Sequence, residues 1–132
     1  MTVFVDTSAF YAMGDQNDES HDAAVAKWAD LLSQEALLVT HNYVLLETSA
    51  LLQNRLGMTA LRDFLDNVVP LLTIDWVSAE RHRRGVEAVL AAQRRKLSIV
   101  DCISFQTMRE RGVAEAFCFD SHFRERGFSA IP

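Results

Sequence analysis

Apolar residues follow two rhythms along this chain. Four short runs, Thr2–Val5, Ala36–Thr40, Leu71–Ile74 and Ala116–Phe119, are apolar with little polar alternation. Runs of that kind read as strands buried on both faces of a parallel sheet. Between them the apolar positions return every three to four residues, the period of a helix with one buried face. From His21 to Gln34, the stripe is Ala24, Val25, Trp28, Leu31 and Leu32. From His41 to Leu56 it is Val44, Leu45, Thr48, Leu51, Leu52 and Leu56, and Gly57 closes the helix. Met58 to Val69 repeats the pattern with Leu61, Phe64, Leu65 and Val68, until Pro70 stops it.

A shorter helical run, Ala9 to Met13, follows the first strand, and Gly14 to Ser20 is a polar loop. Ser78 to Gln93 is predicted helical but weakened or bent by Gly85, since glycine costs about 1 kcal/mol relative to alanine in a helix interior. Arg94 to Lys96 forms a turn, Ser98 opens a helix from Ile99 to Arg111, and Gly112 ends it. Gly127 leads into a short fifth strand, Phe128 to Ile131. Strands alternating with helices predict βαβ units. Right-handed crossovers then place helices on both faces of a mostly parallel α/β sheet of four to five strands.

Composition narrows the class. At 132 residues the chain is expected to be one domain, 1–132, long enough to bury a core. With 49% apolar and 23% charged residues it is not a disordered segment. No apolar run reaches the length of a membrane span. The N-terminus enters a strand directly, without the basic flank and cleavage site of a signal peptide. Cys102 and Cys118 carry no metal or disulfide spacing, as expected of buried thiols in a reducing cytoplasm. Charge is divided unevenly: residues 1–80 hold 3 basic and 12 acidic side chains, residues 81–132 hold 10 basic and 6 acidic. The basic half marks either a polyanion track or ordinary solvated helix faces.

The chemistry suggested by the pattern lies in four acids. Asp6 and Asp120 each follow a buried strand directly, so parallel strands put both carboxylates on the rim where open α/β sheets bind ligands. Asp101 falls in the first turn of its helix, and Glu47 on the edge of an apolar stripe. Each has a plainer explanation. Asp6 and Asp120 suit helix or turn caps, Ser98-Ile99-Val100-Asp101 fits a capping box, and Glu47 suits a half-exposed helix position. Four carboxylates in one cleft would repel by about 4 kcal/mol per pair at 4 Å. Some must then be protonated, or a divalent cation must sit among them. Oxygen donors favour Mg²⁺ or Mn²⁺. No zinc spacing, P-loop, dinucleotide fingerprint or nucleophile elbow occurs.

Four stretches in order carry a resemblance: Phe4-Val5-Asp6-Thr7-Ser8, Asn42-Tyr43-Val44-Leu45-Leu46-Glu47-Thr48, Leu97-Ser98-Ile99-Val100-Asp101-Cys102, and Phe119-Asp120-Ser121-His122-Phe123 with Gly127-Phe128. With their helical spacers they resemble the PIN-domain ribonucleases, specifically the VapC-type toxins of toxin–antitoxin pairs, over nearly the full length. The resemblance implies a three-layer fold with the first strand central. It also implies hydrolysis of an RNA phosphodiester assisted by Mg²⁺ or Mn²⁺; since sequence-specific RNA recognition usually targets unpaired loops, whose bases can be reached, a loop of structured RNA is the expected substrate. Asp6, Asp101 and Asp120 would be the metal ligands, Glu47 would act on the attacking water, and the hydroxyl of Thr7 or Ser8 would assist. Arg83, Arg94, Arg95 and Lys96 would grip the RNA backbone, and His122 either contacts RNA or packs near the rim. A homodimer and a cognate antitoxin bound in a groove near the acids are the implied partners, with Tyr11, Trp28 and Phe64 as candidate interface or core residues.

Two positions depart from the pattern. His122 stands where some relatives have an acid, and Val100 where others have threonine. Competing readings are a receiver-like phosphoacceptor, which the Asp-Thr-Ser start and the late Asp101 fit poorly, and a haloacid-type phosphatase, which would need an acid at Ser8. A non-catalytic RNA- or protein-binding module on the same scaffold is the third.

Overall fold

A computed structural model describes all residues from Met1 to Pro132. Its sheet has five strands, β1 (Thr2–Val5), β2 (Leu37–His41), β3 (Thr73–Asp75), β4 (Glu115–Phe117) and β5 (Ser129–Ile131), in the order β3-β2-β1-β4-β5. Every pairing is parallel. β1 is central because its residues are the most apolar: Val3, Phe4 and Val5 are at most 1% exposed. Helices α1 (Thr7–Gly14), α2 (His21–Ser33), α3 (Asn42–Leu56) and α4 (Met58–Asp63) connect β1 to β2 and β2 to β3. Helices α5 (Ala79–Ala92), α6 (Ile99–Arg111) and α7 (His122–Glu125) make the return connections. Since strand order reverses direction after β3, right-handed crossovers send these last three to the opposite face. The three-layer α/β architecture is the one expected. No helix is long and apolar enough to cross a membrane.

The differences from the expected elements have local causes. The helix predicted over 58–69 leaves α geometry at Phe64 for a π turn, Phe64–Val68, then a 3₁₀ turn, Val69–Leu71. Phe64 is buried with its ring edge-on to Phe10 at 5.2 Å. Leu71 is thereby used in the turn, and β3 starts at Thr73 instead. β4 ends at Phe117 instead of Phe119, because the Phe119 amide donates to the Ser8 hydroxyl and not to a neighbouring strand.

Gly85 does not weaken α5, which runs unbroken through it. A Cβ there would lie 2.4 Å from Ile103 Cδ1, so the glycine lets α5 close onto α6. Phe64 lies within the core, and Tyr11 and Trp28 are half-buried against it. Cys102 and Cys118 are buried free thiols.

Candidate active site

Each of the four acids is held by its own element at the carboxyl rim of the sheet. Asp6 leaves β1 and caps α1: its Oδ2 accepts from the Ser8 amide at 3.1 Å and the Ser8 hydroxyl at 2.7 Å. Ser8 Oγ in turn accepts from the Phe119 amide at 2.9 Å, tying β1 to the end of β4. Asp101 completes a capping box on α6, its Oδ2 accepting from Ser98 N at 3.1 Å while Ser98 Oγ accepts from Asp101 N at 3.0 Å. Asp120 Oδ1 accepts from the His122 amide at 2.8 Å. Glu47 projects from the middle of α3 and is half-buried.

Caps and site are therefore one arrangement. Each cap engages a single oxygen, and Asp6 Oδ1, Asp101 Oδ1 and Asp120 Oδ2 accept no hydrogen bond from the protein. A carboxylate oriented by one oxygen and free at the other is built to receive something. All four acids line one open cleft of about 470 Å³. Thr7, Ser8, Tyr11, Arg55, Lys96 and Phe119 share its walls. Thr7 Oγ1, buried, accepts from Thr48 Oγ1 at 3.3 Å and so joins α1 to the helix that carries Glu47.

Electrostatics single out the floor of the cleft. Asp6 is only 4% exposed, and burial drives its carboxyl up to about 7 despite the two bonds from Ser8; the charges of Asp101 and Asp120 push the same way. Burial likewise raises Asp101, opposed by the Ser98 amide and reinforced by Asp120. Crowded carboxyls in low dielectric hold protons unless a cation replaces them.

His122 joins this group. Its Nδ1 lies 3.0 Å from Asp120 Oδ1 and 3.4 Å from Asp101 Oδ2, and the side chain is 13% exposed. Neither contact has hydrogen-bond geometry, and Nδ1 is a buried atom without a partner. Ligand atoms of Asp101, Asp120 and His122 all fall within 4.8 Å of one another. Carboxylate oxygens free of protein donors, beside an unpartnered imidazole nitrogen, fit a divalent cation: Asp6, Asp101 and Asp120 would hold it, with Glu47 across the cleft.

Behind the site, His41 fastens α6. Its Nδ1 accepts from Val44 N at 3.3 Å, and its Nε2 meets Ser104 Oγ at 2.8 Å; that hydroxyl donates to the Val100 carbonyl at 2.9 Å. Burial pushes His41 down to about 3, so the ring is neutral and its Nε2–H is the donor to Ser104. The first turn of α6 is thus anchored although Val100 has no hydroxyl of its own.

The basic residues divide. Lys96 lines the cleft, whereas Arg83 pairs with Glu87 at 2.6 Å and Arg94 with Glu125 at 2.9 Å, and neither they nor Arg95 reach its walls. Arg55 does line the cleft, its guanidinium 5.3 Å from the Tyr11 ring centroid. The sequence held a signal for it: Glu47, Leu51 and Arg55 are spaced four apart on α3, hence on one face, and all three line the cleft.

Residues 3–129 match the family model of the PIN domain. The chain belongs to the PIN domain family, a family of nucleases, and is of its VapC type. It is 33% identical over 130 residues to the 23S rRNA-specific endonuclease VapC20 of Mycobacterium tuberculosis, covering 98% of this chain and 97% of that one. The crystal structure of VapC20, described as a sarcin–ricin loop cleaving toxin, superposes with a TM-score of 0.85 over 96% of this chain and 95% of that chain. FitAcB from Neisseria gonorrhoeae, at 12% identity, shares the fold with a TM-score of 0.70 over 100% of this chain and 97% of that one.

Proposed function

We propose that this chain is a divalent-metal-dependent endoribonuclease toxin that cuts an unpaired loop of structured RNA. The observation that carries the reading is the convergence of Asp6, Glu47, Asp101 and Asp120, from four separate elements, on one cleft. A bound Mg²⁺ or Mn²⁺ would lower the pKa of an attacking water and offset charge building on the scissile phosphate. Asp6, Asp101 and Asp120 present the oxygens for it, and Ser8 keeps Asp6 in its rotamer. Glu47, half-buried and free of protein donors, orients the attacking water and takes its proton. Lys96 and Arg55 supply the cationic walls for flanking phosphates. Phe119, 37% exposed beside Asp120, offers a ring on which an unpaired base can stack.

VapC20 is described as specific for 23S rRNA and as cleaving the sarcin–ricin loop. A relation over nearly the whole chain supports a loop of ribosomal RNA as the substrate here. By the same relation we propose a cognate antitoxin as partner, a homodimer as the working form and the cytoplasm as the compartment. Incubating the purified chain with ribosomes and Mg²⁺ or Mn²⁺, then mapping new RNA ends, tests the reading. The expected result is one dominant cut in an unpaired loop, abolished by EDTA and by Asp6→Asn. Cleavage by Asp6→Asn at the wild-type rate would sink it. RNA binding without cleavage by wild type would favour the non-catalytic module instead.

A further inference from the structure

We propose that His122 is itself a metal ligand, through Nδ1, and that this nitrogen tilts the site toward Mn²⁺ over Mg²⁺. The inference rests on the metal-dependent reading above and adds to it a donor of a different element.

Three observations support it. The first is spacing. Atoms that share an octahedral ion at about 2.1 Å lie roughly 3 Å from their nearest co-ligands. Nδ1 stands 3.0 Å from Asp120 Oδ1 and 3.4 Å from Asp101 Oδ2, oxygens that also accept from the His122 and Ser98 amides, so a shared ion would draw on their second lone pairs or on the free oxygen of the same carboxylate. The second is direction. Hydrogen-bonded groups point at one another, whereas co-ligands point at a common centre between them. Nδ1 approaches both carboxylates closely without hydrogen-bond geometry to either, and it is buried with no other partner.

The third is how the ring is placed. The Asp120 carboxylate accepts from the His122 amide at 2.8 Å, and Phe123, the next residue, is fully buried against Phe4 and Phe105. The turn that presents Asp120 therefore presents His122 as well. A histidine whose role was only to pack would leave its polar nitrogen toward solvent or on a carbonyl, as His21 does on Ala12 O at 2.8 Å.

The chemical consequence follows from donor type. Mg²⁺ takes oxygen almost exclusively, while imidazole suits the later first-row ions, with Mn²⁺ the first of that series to accept both. Two carboxylates and one imidazole within 4.8 Å of one another, with Asp6 in the same cleft, keep hard-ion binding but gain more for Mn²⁺ than for Mg²⁺.

The test is pulsed electron paramagnetic resonance of the full chain loaded with Mn²⁺, with calorimetric titration of Mn²⁺ and Mg²⁺ alongside. Wild type is expected to show imidazole nitrogen modulation on the Mn²⁺ signal. His122→Asp keeps a ligand but removes the nitrogen: the modulation disappears, and the Mn²⁺-to-Mg²⁺ affinity ratio falls about tenfold, the lower end of what disturbing a metal's surroundings typically costs. His122→Asn serves the same comparison if the aspartate variant does not fold. Mn²⁺ bound to wild type without nitrogen modulation overturns the proposal while leaving the metal-dependent nuclease standing. Absence of any Mn²⁺ or Mg²⁺ binding overturns both.

Discussion

The molecule holds two clusters of charged side chains, and they are opposites. At the far end of the α5–α6 pair, Asp75 accepts from Arg81 at 2.9 Å and from Arg111 at 2.6 Å, while Glu110 is bound by Arg81 and Arg84. Burial would raise the Asp75 carboxyl, but the bonds from Arg111 and Arg81 outweigh it and hold it below its ordinary range; the Arg81 bond does the same for Glu110. In the cleft, Asp6, Asp101 and Asp120 meet with no arginine or lysine bonded to any of them, and Asp6 and Asp101 sit above their ordinary range. The first cluster is complete in itself. The second is balanced only when protons or a cation enter it. Charge pairing thus separates a structural cluster from a site, although both use the same residue types.

Matched amide substitutions break the comparison most sharply. Asp101→Asn is expected to cut RNA cleavage roughly a thousandfold, the several kcal/mol of transition-state stabilisation that a metal site supplies. Glu110→Gln should leave the cleavage rate unchanged. Single-turnover rates on a loop RNA measure both, and a cleaving Asp101→Asn would erase the distinction.

Stability should respond in the reverse order. Asp75→Asn leaves Arg81, whose side chain is only 11% exposed, short of a carboxylate, and is expected to destabilise by about 1–3 kcal/mol. Asp6→Asn removes a carboxyl that is costly to ionise, so without divalent ions it should raise the melting temperature at pH 8. Thermal denaturation of the two variants side by side would show opposite shifts, and shifts of the same sign would contradict the assignment.

The pH dependence carries the same signature. Asp6 moves from an ordinary 3.8 to about 7 on folding, so between those values the folded state holds the extra proton. Stability without metal therefore declines as pH rises through that window. Asp75 and Glu110, lowered on folding, contribute stability that is present above their ordinary range and lost as pH falls below it through their lowered folded values. Millimolar Mg²⁺ or Mn²⁺ should restore the neutral limb and leave the acid limb alone, as read from melting curves across pH.

Smaller effects sharpen the picture. Gly85→Ala must displace Ile103, and overpacking of that kind costs about 1–3 kcal/mol at an interface the ion cluster closes. Arg83→Ala, which removes only an exposed pair with Glu87, should stay within about 0.5 kcal/mol and leave RNA affinity unchanged. Chemical denaturation and a filter-binding titration check the two.

Much of this was readable in order along the chain. A short apolar strand that stops at an aspartate places that carboxylate at the sheet rim, so Asp6 and Asp120 could be named from local pattern, and the first turn of a helix put Asp101 near it, with the capping box as its plainer explanation. The basic stretches were less informative, because a list of arginines does not say which have acidic partners. Arg83 and Arg94 are paired on helix surfaces, while Arg55, isolated in an acidic half, is the one beside the acids. Helix propensity counts the backbone entropy of Gly85 and knows nothing of Ile103 on α6, whose Cδ1 a Cβ there would meet at 2.4 Å.

The sequence by itself determined the alternation of strand and helix, the family and the four acids, because periodicity, caps and strand ends are short-range properties. The tertiary structure alone decided which oxygens stay free, that His122 turns its nitrogen between Asp101 and Asp120, and which charges cancel. Those depend on distances between residues far apart in the chain, and electrostatic energy depends on distance and burial, not on order.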